Sequence, residues 1–146
     1  MRLLAWVLGL GGVIPFAGLA MAAWWGPLDW HSTVIQVLSV YAAVIVSFLG
    51  GVHWGAALNQ SVAARRHLLW GVSLSLLAWV AALLPWGIMR LSVFILLLLT
   101  ALRVDRVWFG GIGASLNFGV LRTVLTALAS LSLLLAIGSY ARAGLI

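Results

Sequence analysis

Few residues of this chain can do chemistry, and His53 has the most unusual setting among them. It lies in the apolar stretch SFLGGVHWGAAL, residues 47–58, which also holds three glycines. On a helix, Gly50 shares the face of His53 and is expected to leave open space beside the imidazole. A polar ring in hydrocarbon costs free energy unless it is hydrogen-bonded. Three roles therefore stay open: a structural hydrogen bond, a pocket for a small polar ligand, quinone head group or proton, and axial ligation of haem or a chlorin.

The other histidines do not complete a metal site by their spacing. His67 is expected in a loop beside Arg66, His31 is expected on the opposite side of a membrane, and no pair has metal-site spacing on one helix. The absence of cysteine excludes thiolate ligands, disulfides and cysteine nucleophiles. No metal and no cofactor are predicted, and axial ligation by His53 is kept as an alternative.

The sequence contains few side chains suited to catalysis. The only two acidic residues are Asp29 and Asp105, and both are predicted at membrane surfaces on opposite sides. General acid–base chemistry usually needs a titratable group in a pocket, and coupled transport commonly uses an acid within the membrane. The sequence therefore predicts that the chain is not an enzyme.

The elements that must position these residues are apolar helices. The chain has 146 residues, of which 65% are hydrophobic and only 7% charged, so lipid must be the solvent for most of it. About 20 apolar helical residues cross a bilayer, and lipid leaves backbone groups no partner outside a helix. We expect an all-α membrane bundle forming a single domain over residues 1–146. Its five predicted spans cover about 3–24, 34–58, 68–84, 86–102 and 121–140.

Arginine sets the expected orientation, because basic residues favour the cytoplasmic side. With five spans, one side carries six arginines and the other side two, Arg90 and Arg142. We expect the N-terminus in the cytoplasm, the C-terminus outside and a bacterial inner membrane as the location. The six cytoplasmic arginines are Arg2, Arg65, Arg66, Arg103, Arg106 and Arg122. Nucleic acid is not an expected partner, since no basic patch is interleaved with polar readout residues.

A ridge of small residues marks the second span. Small side chains recur there every four residues, which places them along one helix face. Such ridges let two helices approach closely in lipid. We expect this ridge to pack against another helix, within the bundle or at a dimer interface. Its members are Ser39, Ala43, Ser47, Gly51 and Gly55.

Three stretches carry a resemblance to a known family. They are VIPFAGLAMAAWWGP (13–27), YAAVIVSFLGGVHWGAAL (41–58), and Asp105 followed by a Leu-Arg-x-x-Leu-Thr pattern at 121–126. In these the chain resembles small polytopic membrane proteins of unknown function related to transmembrane protein 69 (DUF3429-like). The resemblance implies the same five-span layout and brings no substrate. It singles out Tyr41, Ser47, Gly50, Gly51, His53, Trp54, Gly55, Asp105, Arg122 and Thr126. Relatives often carry arginine at the position of His53, which favours a hydrogen-bonding or anion-facing role there.

The residues singled out by the resemblance are expected on one side of the membrane. His53 and Trp54 end the second span, Asp105 follows the fourth, and Arg122 opens the fifth. We expect them to gather into one polar cluster. The cluster either binds an anionic lipid head group or closes the bundle as a structural ion-pair network.

These features together predict a non-catalytic integral membrane protein. The leading hypothesis is an accessory, assembly or stabilising subunit of a larger inner-membrane complex, with lipids and partner membrane subunits, or further copies of the chain, as partners. One alternative is an oligomeric protein that binds or transports a small ligand in a pocket near Gly50 and His53. The other is a membrane protein that binds haem or a pigment.

Overall fold

The computed structural model describes residues 2–59, 63–109 and 117–145, which form five α-helices and one short 3-10 helix. The all-α prediction is therefore confirmed. The helices are α1 (Arg2–Trp25), α2 (His31–Leu58), α3 (Ala64–Ala82), α4 (Gly87–Trp108) and α5 (Phe118–Arg142), with the 3-10 helix at Leu28–Trp30 between α1 and α2.

Four of these helices, α1, α2, α4 and α5, are long and apolar enough to cross a membrane. This identifies a membrane-integral chain. The helix α3 differs because its first turn carries two arginines and a histidine, which lower its apolar character.

The helices extend beyond the predicted spans at the end where charged residues collect. The helix α4 runs to Trp108, where the sequence predicts a span ending near 102, so Asp105 lies inside a helix. The helix α3 begins at Ala64, so His67 lies in its first turn, and the prediction of a loop position is wrong. Apolar length fixes only the part of a helix within hydrocarbon, and hydrogen bonding continues the helix into the polar interface.

The core of the bundle forms around α2, which packs against α1, α3 and α4, while α5 packs against α1 and α4. Its largest fully buried side chains include Phe16, Leu38, Phe94 and Leu133. These residues come from four different helices, so the core joins the bundle into one unit.

The helices α2 and α3 approach each other closely at two glycines, Gly50 and Gly71. A Cβ atom added to Gly50 would lie 2.5 Å from the carbonyl oxygen of Gly71, and one added to Gly71 would lie 2.6 Å from that of Gly50. The two backbones are thus in direct contact. The open space expected beside His53 at Gly50 is filled by α3, so that prediction is wrong.

The small-residue ridge is used only in part. Ser39 is buried and Ser47 half-buried, but Gly51 and Gly55 are exposed, and no other described residue lies within 4 Å of a Cβ added to either. For these two glycines, the prediction that the ridge packs against another helix of the bundle is therefore wrong among the described residues. Packing at an interface with another chain stays a prediction. Successive residues on a helix point about 100° apart, so α3 can dock on the face of Gly50 and leave that of Gly51 open.

We call the end of the bundle where α2 and α4 finish and α3 and α5 begin the basic end, and the opposite end the far end. At the far end, the indole of Trp24 donates to the carbonyl of Leu135 at 2.6 Å, and Arg142 donates to the carbonyl of Gly26 at 3.3 Å. Arg90 is buried at the same end and donates to Gln36.

Candidate functional site

Four polar residues from four helices meet at the basic end. His53 of α2 lies 2.9 Å from Asp105 of α4 and 2.8 Å from His67 of α3, and Arg122 of α5 donates from Nε to Asp105 at 2.6 Å. Both histidines are fully buried, and Asp105 and Arg122 are 5% and 7% exposed. We call these four residues the polar cluster. It ties together the ends of α2, α3, α4 and α5.

The ion pair with Arg122 fixes the direction of the hydrogen bonds. Asp105 as a carboxylate accepts at both oxygens, so His53 must donate to it from Nε2. In a neutral His53 the Nδ1 atom is then the acceptor, and the Nδ1–H of His67 donates to it. His67 in turn presents Nε2 as an acceptor. The carboxylate and the guanidinium cancel in charge, which lowers the cost of burying them.

Two members of the polar cluster, His67 and Asp105, extend the buried stripe of their own helices by one turn. In α4 the stripe that leads to Asp105 consists of Leu91, Phe94, Leu98 and Ala101. In α3 they are His67, Gly71, Leu74, Ala78 and Ala81. Spacings of three and four residues keep side chains on one helix face. This periodicity was the signal in the sequence that could have found His67, which the sequence reasoning missed.

Aromatic rings shield the histidine pair. The ring of Phe109 lies 4.8 Å from that of His53, and the ring of Trp108 lies 5.1 Å from that of His67, both between centroids. The guanidinium of Arg66 covers Trp108 at 4.9 Å. The histidines are therefore enclosed by apolar surface, where an unmade hydrogen bond is costly.

Some donors and acceptors at this end have no partner among the described residues. They are the Nε2 atom of His67, the indole nitrogen of Trp70 and the Nη2 atom of Arg122, all buried. The Nη1 atom of Arg122 makes only a long contact with Thr126, at 3.4 Å. The cluster is thus saturated around Asp105 and has spare hydrogen-bonding capacity at both of its ends.

Three of the four predicted cluster residues come together, and the fourth does not. His53, Asp105 and Arg122 are in contact, whereas Trp54 is half exposed and donates to the carbonyl of Leu68 at 3.2 Å. Trp54 also packs on Gly71, so it joins α2 to α3 outside the cluster. Successive side chains on a helix point about 100° apart, so when His53 points into the bundle, Trp54 points toward a different side of α2.

The geometry disfavours the axial-ligand role for His53. Both of its ring nitrogens are hydrogen-bonded, Nδ1 to His67 and Nε2 to Asp105, so neither is free for a metal in this arrangement. Within residues 2–59, 63–109 and 117–145, no three histidine or acidic side chains are placed to hold a metal ion.

The chain belongs to a family described as protein of unknown function (DUF3429), whose model matches residues 1–138. No curated protein and no solved structure matches the chain. The match confirms the DUF3429-like resemblance seen in the sequence, and the family description assigns no reaction.

Proposed function

We propose that this chain is a non-catalytic integral membrane protein that acts as an accessory or stabilising subunit of a larger complex in a bacterial inner membrane. The observation that carries the proposal is the open small-residue face of α2. Both Gly51 and Gly55 are exposed, and a Cβ atom added to either would meet no other helix within 4 Å among the described residues.

A shallow groove accompanies this face on the outside of the bundle, between α2 and α3. A groove floored by glycines admits a helix from another subunit at short backbone distance, which is how helices associate in lipid. The partner is therefore a transmembrane helix, from a different subunit or from a second copy of this chain. The residues lining the groove are Ser47, Gly50, Gly51, Trp54, Gly71, Val72, Ser75 and Leu76.

The state of Asp105 supports a non-catalytic role. Its two oxygens accept from Arg122 and His53 inside the protein, and Asp29, the other acid, lies exposed in the 3-10 helix. A carboxylate held by two internal donors is a poor general base. It serves better as a tie between helix ends.

Five membrane crossings form part of the proposal. The helix α3 has 19 residues, and at 1.5 Å per residue it is about 28 Å long, close to the thickness of the hydrocarbon core. The connections 59–63 and 83–86 are short, so α3 must run antiparallel to both α2 and α4. The basic end carries Arg65, Arg66, Arg103, Arg106 and Arg122. This supports a cytoplasmic N-terminus and an external C-terminus.

The two alternatives have less support. The space expected for a pocket beside Gly50 and His53 is occupied by the backbone of Gly71. The groove between α2 and α3 is not lined by His53. A haem or pigment site on His53 would first have to break one of its two hydrogen bonds.

The test is gentle solubilisation of native membranes, followed by native gel electrophoresis and mass spectrometry of the bands. We expect the wild-type chain to migrate with a further membrane subunit, or with a second copy, and Gly51→Leu to release it. Gly18→Leu is the matched control, because Gly18 is also exposed on a helix with nothing within 4 Å among the described residues. A wild-type chain that migrates alone, or equal release by both variants, contradicts the proposal.

A further inference from the structure

A cavity of about 290 Å³ lies on the other side of α2 from this groove, between α1, α2 and α5, with Leu98 of α4 also in its wall. Its walls are almost entirely apolar. Seventeen residues line it, and only Arg122 and Thr126 among them have polar side chains. The apolar lining includes Leu8, Val13, Phe16, Phe48, Leu121 and Leu125.

The cavity follows the helix axes from the basic end inward. Its lining on α5 runs from Phe118 to Ala129, and the eleven steps between these residues span about 16 Å at 1.5 Å per residue. The facing wall on α1 runs from Ala5 to Phe16, an equal length. About 16 Å is roughly half of a hydrocarbon core of about 30 Å. The shape therefore suits a chain that enters from one leaflet.

Arg122 gives this apolar cavity a polar group near its outer end. Its Nη2 atom is buried and has no hydrogen-bond partner among the described residues. A buried donor without an acceptor is unfavourable, so an acceptor atom supplied by a ligand would be stabilised there.

The charge around Arg122 selects the kind of acceptor. Asp105 already neutralises the guanidinium at 2.6 Å, and the cluster of Arg122, Asp105, His53 and His67 has no net charge when the histidines are neutral. An anionic head group would bring an uncompensated charge next to the carboxylate of Asp105. An uncharged carbonyl oxygen accepts the same hydrogen bond without that cost.

We propose that this cavity binds an uncharged lipid whose head carries a carbonyl group, with the carbonyl at Arg122 and the apolar tail extending toward Phe16 and Ala129. Two sources share this chemistry: a quinone with an alkyl or isoprenoid tail, and a glycerol ester. This inference uses a different surface from the proposed partner groove, so each can fail without the other.

The test measures thermal unfolding of the purified chain in detergent with three probes of equal tail length: a decyl benzoquinone, the glycerol monoester of decanoic acid, and decanoate. We expect one or both of the uncharged probes to raise the melting temperature more than decanoate does. The larger of the two shifts identifies the source. No shift with either uncharged probe, or a larger shift with decanoate, overturns the proposal.

Two variants tie the shift to the cavity. Gly12→Leu adds a side chain to the cavity lining, where the nearest described atom to its Cβ is the hydroxyl of Tyr41 at 3.9 Å, and it should abolish the shift. Gly18→Leu on the same helix lies outside the lining and should retain it. Equal shifts in both variants overturn the proposal.

Arg122→Lys separates hydrogen bonding from charge. Lysine keeps the positive charge beside Asp105 but lacks the forked donors of the guanidinium. We expect it to bind the uncharged probe about tenfold more weakly, the usual effect of one lost hydrogen bond. Native mass spectrometry of probe adducts on the wild-type chain and on this variant provides a second measurement that does not depend on stability. Equal adduct formation on both contradicts the role of Arg122.

Discussion

His53 and His67 face each other through their Nδ1 atoms at 2.8 Å, and this contact joins α2 to α3 inside the polar cluster. One of the two nitrogens must carry the proton. In a neutral His53 the single N–H donates to Asp105, because the carboxylate can only accept, and the proton between the two Nδ1 atoms then belongs to His67. The pairing of two histidines is thus set by an ion pair between two other helices, Asp105 with Arg122.

The ion pair predicts strong coupling between Asp105 and Arg122. Asp105→Asn and Arg122→Gln each leave a buried charge without its partner, and each should cost about 3–5 kcal/mol of unfolding free energy. The double variant removes both charges and should cost clearly less than the sum. Denaturant unfolding in detergent measures all three. Asp29→Asn is the control, since Asp29 is exposed, and should change stability by no more than about 0.5 kcal/mol. Additive effects of the two cluster variants would show that the ion pair has no energetic role.

The direction of the histidine pair predicts different effects from two substitutions of similar size at His67. Asparagine can donate an N–H toward Nδ1 of His53, whereas leucine cannot. His67→Asn should therefore be more stable than His67→Leu by about 1 kcal/mol, the net value of one hydrogen bond. Thermal unfolding of the two purified variants tests this. If leucine proves equal or better, the histidine contact contributes packing alone.

Adjacent glycines of α2 should respond in opposite ways to alanine. Gly50→Ala places a methyl group 2.5 Å from a backbone carbonyl of α3 and should destabilise the chain, because backbone cannot move aside cheaply. Gly51→Ala meets open space and should raise stability by up to about 1 kcal/mol through helix propensity. Each variant serves as the control for the other in equilibrium unfolding. The same sign for both would contradict the close contact of Gly50 with Gly71.

Five crossings and their orientation can be tested by single-cysteine labelling, since the chain has no cysteine of its own. We expect Ser32→Cys and Pro85→Cys to react with a membrane-impermeant maleimide on intact spheroplasts, and Ala63→Cys only after permeabilisation. These three positions are exposed and lie near helix ends. If Ala63 and Pro85 are labelled from the same side, α3 does not cross the membrane. If the whole pattern is inverted, the orientation is wrong.

The sequence predicted the helices well and their contacts less well. Apolar length alone located α1, α2, α4 and α5, because the bilayer imposes both length and secondary structure on such segments. It could not decide which face of α2 meets α3, since Gly50 and Gly51 are both small and only the shape of α3 selects between them. The choice of Gly50 depends on its backbone contact with Gly71, and that contact exists only once α2 and α3 are packed together.

The polar cluster was partly visible in the sequence. His53, Asp105 and Arg122 could be grouped because they end or begin helices on one side of the predicted bundle. His67 was missed because the apolar stretch of the third predicted span begins at about residue 68, which indicated a loop before it, whereas the helix already begins at Ala64. Trp54 was included because it neighbours His53, although neighbours in a helix point in different directions.

The bonds between α1 and α5 at the far end have a consequence for biosynthesis. Trp24 reaches Leu135, and Arg142 reaches Gly26, so the first helix is held by the last one. A chain is made from its N-terminus, and residues near Arg142 leave the ribosome long after Trp24. The first helix therefore lies in the bilayer, or beside the insertion machinery, without this partner until α5 has been translated. A ribosome that stalls before α5 would leave it in that state.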